Sequence, residues 1–325
     1  MMTFADGHIP DPGFGPQDDL RHWPSEPGGR MRDSLFWEMI MPDERLGLQI
    51  YLYVTAHGRC GFNVSVWGPD GGSDTGPLAL DLGGGMVPED MDFDDFGLKG
   101  LTVSQPELRH TAEVTYESDK VRLEYRFEAI QDAFSYRSNP DGLPEWFAAN
   151  RLEQTGRVSG FLEVVQRGGT ARRIEWDRRM GHRDHSWGNR DWGVPHHWKW
   201  FVAYTDSGRA VNGWIWIAGG EWGFAGSVIR DGVTIPVSHI EHHATYHNDM
   251  SQKRLEATLV DTAGGRTELT FERFGLIKLP TSDKMATEIW ESACDATIDG
   301  EPAAGQWETH WPSDYLHHLV ESRRR

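Results

Sequence analysis

The chain has 325 residues, enough for two domains at roughly 100–200 residues each, and its 38% of apolar residues with 37 glycines is ordinary for a globular protein. No apolar run reaches the roughly 18 residues that a membrane-spanning helix needs, so we expect no membrane span. Fifty acidic residues against 32 basic ones give a net charge of −18, and because such a surface repels phosphate groups we expect no nucleic-acid partner.

The start of the chain and its cysteines indicate the compartment. Residues 1–30 are polar, rich in Pro and Gly, and lack the apolar stretch of a secretory signal, so we expect a flexible N-terminal segment. The two cysteines, Cys60 and Cys294, are too few for a disulfide framework or a cysteine-based zinc site. These features predict a cytoplasmic protein.

Alternation of apolar and polar residues with a period of two recurs along the chain, and helical periodicity is nearly absent. The clearest predicted strands are Gly47–Thr55, Phe62–Trp67, Thr111–Glu117, Val121–Ala129, Arg157–Val165, Trp198–Tyr204, Ala210–Ala218, Arg254–Asp261 and Arg266–Phe274. Gly-rich and Asp-rich turns separate them at residues 69–72, 168–169, 207–208, 231–232 and 264–265. This pattern predicts an all-β protein built of barrels or sandwiches.

Three stretches depart from the strand pattern. Leu143–Asn150 and Ser313–Ser322 are predicted to be helical, because a proline stands at or next to the start of each. Asp81–Gly97 has little strand signal and is rich in Gly and Asp, so we predict a long surface loop there.

Aromatic residues are unusually frequent, with 15 tryptophans in the chain. The predicted strands place rings in stripes on single faces: Tyr51 with Tyr53, then Trp198, Trp200 and Tyr204, then Trp214 with Trp216. Such a stripe is either an aromatic core or the wall of a barrel that holds a ligand. We favour the wall, because so many rings would overfill a small core.

The densest polar stretch is residues 181–193, which contain two His, two Asp, two Arg and two Trp among glycines. Carboxyl groups beside imidazoles and guanidiniums shift each other's pKa values, which is what a general acid or base requires. The alternative is a buried polar plug between two domains, in which the Asp and Arg side chains neutralise each other.

Within this stretch, the run Asp184-His185-Ser186-Trp187-Gly188, with His182 before it and Arg190-Asp191-Trp192 after it, resembles the signature of the carotenoid 1,2-hydratase (hydroxyneurosporene synthase) superfamily. Residues 154–160, Trp37-Glu38 and residues 42–48 are similar to a bacterial branch of that superfamily. The superfamily includes tandem-lipocalin, calycin-like proteins and related terpenoid cyclases and Diels–Alderases. The similarity extends over most of the chain from about Trp37, and the Asp-His-Ser-Trp-Gly block is its specific part.

This resemblance implies a fold of two tandem lipocalin-like (calycin) antiparallel β-barrels with few short helices. The barrels would occupy residues 31–190 and 191–325, the second with a terminal helix, and the polar block would lie near their junction. The resemblance also implies chemistry without a cofactor on a hydrophobic substrate. By position, Asp184 would be the carboxylic acid that protonates an alkene before water captures the cation.

The residue types suit such chemistry in their own right. Indole rings stabilise a cationic intermediate by about 2 kcal/mol each when desolvated, and an apolar site keeps a carboxylic acid protonated. The candidate catalytic residues are Asp184 as the acid, His182 or His185 as orienting group or base, and the further carboxyls Asp191 and Glu38, the last of which is alternatively an exposed surface residue. The candidate substrate-binding residues are Trp187, Trp192, Trp198, Trp200, Tyr51, Tyr53, Tyr204 and Trp214.

We therefore expect a lyase (hydratase, dehydratase or C–O/C–C bond lyase) or an isomerase. Its substrate would be a bulky terpenoid, steroid-like or aromatic molecule. The sequence contains no Gly-x-Ser-x-Gly elbow, phosphate-binding loop or dinucleotide fingerprint, so we expect no cofactor. Whether the protein forms a homodimer stays open.

Two other interpretations remain. His182 and Asp184 form a His-x-Asp pair, which with His242, His243 or His247 would give the facial triad of a non-haem iron(II) oxygenase. Alternatively, the protein is a non-catalytic carrier, because lipocalin-type barrels often only bind hydrophobic ligands.

Overall fold

The computed structural model describes residues 15–23, 30–69, 78–165, 169–230, 232–279, 281 and 285–324. These residues fold mainly into antiparallel strands that form two sheets, one nearly closed and one a closed barrel. The predicted all-β fold of tandem barrels is confirmed. Three of the predicted turns, at residues 70–72, 168 and 231, fall outside the described residues.

The first sheet has eleven strands in the spatial order β4-β3-β2-β1-β11-β10-β8-β7-β6-β5, with β9 paired to β10. Its strands are β1 (Met31–Met41), β2 (Leu46–Thr55), β3 (Arg59–Trp67), β4 (Ala79–Met86), β5 (Asp95–Leu98), β6 (Leu101–Glu107), β7 (Thr111–Glu117), β8 (Val121–Ala129), β9 (Phe134–Ser135), β10 (Asn150–Val165) and β11 (Ala171–Asn189). Strand β8 shows how the sheet forms: Leu123, Tyr125 and Phe127 are buried in the sheet's core, and the charged residues between them are exposed.

The second sheet is a closed eight-stranded barrel in which each strand pairs with the next and β19 returns to β12. Its strands are β12 (Pro195–Tyr204), β13 (Ala210–Ala218), β14 (Glu221–Arg230), β15 (Val233–Tyr246), β16 (Gln252–Asp261), β17 (Arg266–Leu279), β18 (Thr287–Ile298) and β19 (Glu301–Pro312). Closure leaves no unpaired edge, and Phe201, Phe271 and Trp307 fill the interior.

The predicted C-terminal helix is confirmed as α1 (Ser313–Ser322), which packs Leu316 onto the barrel beside Trp311. No helix in the described part of the chain is long and apolar enough to cross a membrane.

The helix predicted at Leu143–Asn150 does not form. The backbone N–H of Phe147 donates to the carbonyl of Pro144, which closes a single turn. The N–H of Ala149 then donates to the carbonyl of Trp187 at 2.7 Å, so the chain enters the sheet instead of continuing a helix. Burial of Phe147 against the second barrel fixes this turn and overrides the helical signal.

The predicted loop at Asp81–Gly97 is also wrong in part, since it contains most of β4 and most of β5. Its glycines are strand residues: a Cβ built on Gly83 would lie 2.1 Å from the ring of Phe62 on β3. Glycine is required there because the neighbouring ring covers the backbone.

The tryptophan stripe faces away from the barrel interior. Trp198, Trp200 and Trp214 belong to an aromatic cluster that includes Phe36 and Phe147 from the first half of the chain. Phe201 and Ile215, which alternate with them, point into the barrel. The rings therefore lie between the two sheets, and the preferred interpretation, in which they line the inside of a barrel that holds a ligand, is wrong.

The N-terminal segment is also partly packed. Residues 16–19 form a short 3₁₀ turn, and the buried Asp19 accepts a hydrogen bond from Arg183 of β11 at 2.9 Å. The flexible segment predicted for residues 1–30 therefore does not include residues 15–23.

A candidate active site between the two sheets

A cavity of about 500 Å³ lies where β1, β2 and β11 of the first sheet face β12, β18 and β19 of the barrel. Its aromatic lining is Phe36, Tyr51, Tyr53, Phe62, Phe147, Trp192, Trp198 and Trp200. Its charged lining is Arg32, Arg151, Asp184, Arg190, Glu291 and Glu308. An aromatic enclosure with a few converging charged groups is the usual form of a small-molecule site.

Asp184 reaches this cavity because of its place on β11. Alternation along the strand directs Asp184 and Ser186 into the cavity and His185 to the opposite face. Burial is the main cause that raises the pKa of the Asp184 carboxyl, and the neighbouring carboxyls of Glu153 and Glu308 act in the same direction. Arg151 and Arg190 oppose the shift, and the net pKa is about 7. The carboxyl therefore exchanges its proton near neutral pH.

Arg151 links Asp184 to a second buried carboxyl. Its Nη2 donates to Asp184 Oδ2 at 2.8 Å, and its Nε donates to Glu153 Oε1 at 2.6 Å. Burial alone would raise the pKa of Glu153, but Arg151 and His182 hold it below its ordinary value. Glu153 therefore stays ionised beside a cation that it shares with Asp184.

His182 does not line the cavity and is connected to it through Glu153. Its Nε2 lies 2.6 Å from Glu153 Oε2, and its Nδ1 lies 3.1 Å from the hydroxyl of Thr155. Both ring nitrogens are thus engaged, which fixes the imidazole behind the Arg151–Glu153 pair.

The opposite wall carries a carboxyl pair. Glu291 of β18 and Glu308 of β19 are direct cross-strand partners. Burial raises the pKa of Glu291 well above its ordinary value, and the adjacent Glu308, which accepts a hydrogen bond from the protonated carboxyl, adds to the rise. Gln306 Nε2 donates to Glu291 Oε2 at 2.8 Å, and the indole N–H of Trp198 donates to Glu308. Two buried carboxylates on directly paired residues repel each other strongly, so Glu291 holds a proton.

Six charged residues of this site were not among the predicted site residues: Arg32, Arg151, Glu153, Arg190, Glu291 and Glu308. The sequence does mark Glu291 and Glu308 in one way, since each directly follows a tryptophan, in Trp290-Glu291 and Trp307-Glu308. Strands β18 and β19 were not predicted, so nothing indicated that these carboxyls lie side by side.

The predicted aromatic residues divide into two groups. Tyr51, Tyr53, Trp192, Trp198 and Trp200 line the cavity, and Trp187, Tyr204 and Trp214 do not. Trp187 lies on the other face of β11, where it stacks on His22 with ring centroids 3.8 Å apart. Trp214 is behind the lining, and its ring packs 4.6 Å from that of Phe147.

Glu38 is completely buried, so the interpretation of a surface residue is wrong. Tyr204 donates its hydroxyl proton to Glu38 Oε2 at 3.1 Å. Burial raises the pKa of Glu38 well above its ordinary value, so the carboxyl is neutral. Neither residue lines the cavity between the sheets.

His185 and Asp191 also lie elsewhere. Asp191 is exposed and accepts the N–H of Gly193 at 3.0 Å. His185 Nε2 lies 2.6 Å from Asp33 Oδ1 on the inner side of the first sheet. Its ligand atom lies within 4.8 Å of those of His22 and Asp33, and these three side chains could together hold a metal ion.

The predicted iron-binding triad does not form. In the described residues, the cluster of three potential ligands is that of His185, which contains neither His182 nor Asp184. His242 and His243 are exposed on β15, and His247 follows that strand. Within the part of the chain that the structure describes, the geometry thus supplies no ligand set built on His182 and Asp184, as the oxygenase interpretation required.

Comparison with known proteins agrees with this architecture. A family model described as Domain of unknown function (DUF7064) matches residues 15–313. No curated protein matches the sequence. A Nitrosomonas europaea protein provisionally assigned as AttH is similar over 95% of this chain and 100% of its own, with a TM-score of 0.66 and 14% identity.

Two further solved structures share the fold. Kievitone hydratase from Nectria haematococca covers 92% of this chain and 92% of its own, with a TM-score of 0.56 and 9% identity. CghA covers 87% of this chain and 88% of its own, with a TM-score of 0.56 and 12% identity. At these identities the similarity establishes a common fold.

Proposed function

The chain belongs to the DUF7064 family, and we propose that it is a cofactor-independent lyase or isomerase that acts on a bulky hydrophobic substrate by acid–base catalysis. The observation that carries this proposal is the Asp184 carboxyl, which holds a proton near neutral pH in an aromatic-walled cavity. The shared fold with kievitone hydratase and CghA supports a place in the carotenoid 1,2-hydratase superfamily.

In the proposed reaction, the Asp184 carboxyl donates its proton to an alkene carbon or to a departing hydroxyl of the substrate. A carbon–hydrogen bond forms, or water leaves, and a cationic carbon remains. The carboxylate left behind is stabilised by Arg151 Nη2, 2.8 Å away. The indole faces of Trp198 and Trp200 stabilise the cation, by about 2 kcal/mol per ring when desolvated.

The second half of the reaction needs a proton acceptor. When water adds to the cation, its oxygen forms the new bond and one of its protons must leave. Glu308 lies on the wall opposite Asp184 and is the carboxyl that accepts this proton. In an elimination or rearrangement, the same group removes a proton from the adjacent carbon, and the double bond forms.

His182 and Glu153 are positioning residues in this scheme. His182 contacts Glu153, Glu153 contacts Arg151, and Arg151 contacts the acid. Glu153 keeps the guanidinium of Arg151 in place, and its negative charge acts on the Asp184 carboxyl.

The proposal is tested by incubating the protein with terpenoid, steroid and phenolic alkenes and alcohols in D₂O. Mass spectrometry then detects gain or loss of water and incorporation of deuterium into carbon. Asp184→Asn is compared with Asp191→Asn, which changes an exposed Asp of the same stretch. We expect Asp184→Asn to lower turnover at least ~100-fold and to leave substrate affinity within a few-fold, with Asp191→Asn unchanged.

Two results would contradict the proposal. Undiminished turnover by Asp184→Asn would show that another group is the acid. Tight binding of these compounds without any turnover or deuterium incorporation would identify the protein as a carrier.

A further inference from the structure

The cavity contains three arginines, and only one of them is neutralised by carboxylates. Arg151 forms ion pairs with both Asp184 and Glu153. Arg32 and Arg190 line the same cavity, and neither forms an ion pair within the described ranges. Two unneutralised guanidiniums are unexpected inside a protein whose net charge is −18.

Both guanidiniums are held by aromatic rings. The guanidinium of Arg32 lies 3.7 Å from the ring centroid of Tyr53, and its buried Nε has no hydrogen-bond partner. That of Arg190 lies 4.4 Å from the ring centroid of Phe147, and its Nη2 donates to Ser186 Oγ at 2.9 Å. Stacking orients a planar guanidinium while leaving N–H groups free to bind an oxyanion.

The two cations also repel each other. Burial together with the positive charges of Arg32 and Arg151 lowers the pKa of Arg190 to about 10, against the opposing effects of Tyr51 and Asp184. An anion bound between Arg32 and Arg190 relieves this repulsion. The Ser34 and Ser186 hydroxyls, which lie 3.0 Å apart, add polar groups to the same wall.

We propose that Arg32 and Arg190 bind a carboxylate of the substrate, so that the substrate is an aromatic or polycyclic acid. That this acid is a substrate rests on the function proposed above, whereas the binding of an aromatic carboxylate does not depend on that function. The net charge of the protein is −18 and repels an anionic ligand. The arginines in the cavity supply the local positive charge that attracts such a ligand to this site.

The strand register sets the size of such a ligand. On β1, Arg32, Ser34 and Phe36 alternate along the cavity, and on β11 Ser186 faces Ser34 while Asp184 faces Phe36. Two residues along a strand span about 7 Å, so the carboxylate site lies roughly 7–13 Å from the acid. This is the length of about two or three fused rings, which excludes small acids that cannot reach both ends.

The test uses two fluorescent probes that share one aromatic frame. 8-Anilinonaphthalene-1-sulfonate carries an oxyanion, and N-phenyl-1-naphthylamine is its uncharged counterpart. Each is titrated into the wild-type protein and into Arg32→Gln, Arg190→Gln and Arg178→Gln, the last being an exposed arginine outside the cavity. We expect Arg32→Gln and Arg190→Gln to weaken the sulfonate at least ~10-fold and the neutral probe less than ~2-fold. Arg178→Gln should change neither.

Displacement then tests the carboxylate itself. 2-Naphthoate should displace the sulfonate probe from the wild-type protein more effectively than 2-acetylnaphthalene, and Arg32→Lys should restore part of the affinity lost in Arg32→Gln. Equal binding of both probes by the wild type, or equal loss of both in the arginine variants, would overturn the proposal. The probes report binding without turnover, so a failed carboxylate site and a failed catalytic role give different results.

Discussion

Strand β11 presents the same kinds of residue to two different surroundings. Arg183, His185 and Trp187 face the interior of the first sheet, and His182, Asp184 and Ser186 face the closed barrel. On the inner face Arg183 is neutralised by Asp19, and His185 lies against Asp33. On the outer face, Asp184 borders a cavity and has a raised pKa.

The difference teaches that access to the cavity, rather than residue type, separates the two faces, since Arg183 and Asp184 both form buried ion pairs. The inner side chains tie the N-terminal segment to the sheet, as the polar-plug interpretation of residues 181–193 expects. Of the outer ones, Asp184 and Ser186 line the cavity, and the catalytic proposal concerns this face alone.

The largest expected effect is on the inner face. Replacing Asp19 by Ala leaves Arg183 buried without its partner, so the free energy of unfolding should fall by about 3–5 kcal/mol. Urea denaturation measures this, with Asp132→Ala as the control because Asp132 is exposed and pairs loosely with Arg109 at 3.8 Å. A loss below about 1 kcal/mol would mean that the inner face is not the structural one.

The matching change on the outer face is Glu153→Gln, which should alter chemistry more than stability. The negative charge of Glu153 raises the pKa of Asp184, so its removal lowers that pKa. The high-pH limb of the turnover profile should move down by roughly one pH unit. Glu163→Gln on the same strand is the control. If the pH profile of Glu153→Gln does not move, the charge of Glu153 does not act on the pKa of Asp184.

Stability itself should depend on pH through Asp184. Its pKa is about 7 in the folded protein against an ordinary value of 3.8, so the folded state holds the proton more tightly. Stability therefore falls as pH rises from about 4 to about 7 and levels off above that range. Asp184→Asn resembles the protonated form. The melting temperature of the variant minus that of the wild type should therefore be larger at pH 8 than at pH 5. The same difference at both pH values would argue against the raised pKa.

The smallest expected effect is that of Glu38→Gln. Glu38 is neutral, buried and away from the cavity, and a glutamine oxygen can still accept the hydrogen bond from Tyr204. Turnover should change less than ~2-fold, because the residue touches no part of the proposed site. A large loss of activity together with an unchanged melting temperature would return Glu38 to the catalytic residues.

The strands that could be predicted were those with alternating apolar and polar residues, such as β7 and β8, or with mostly apolar residues, such as β13. Strands β7, β8 and β13 were predicted with the bounds that the structure shows. Strand β11 was missed, because charged and polar residues occupy both of its faces near Asp184 and leave no alternation to detect. The most polar strand of the first sheet is thus the one on which the proposed site depends.

The site was predictable where its residues are close in sequence or form an aromatic stripe on one strand, as Tyr51 and Tyr53 do. Asp184, Trp192, Trp198 and Trp200 lie within one short stretch, and all of them line the cavity. Arg151, Glu291 and Glu308 come from distant strands and meet Asp184 only through the packing of two sheets. The density of polar residues at 181–193 also could not show that Asp184 faces the cavity and His185 does not, since the direction of a side chain depends on the strand register.

The most direct test is a pH titration of the Asp184 carboxyl, followed by the ¹³C shift of labelled aspartate and assigned by its absence in Asp184→Asn. A midpoint near pH 7 is predicted, because burial in the cavity raises the pKa to about 7. A midpoint near 4, as in an aspartate open to water, would contradict the proposed acid and the reaction built on it.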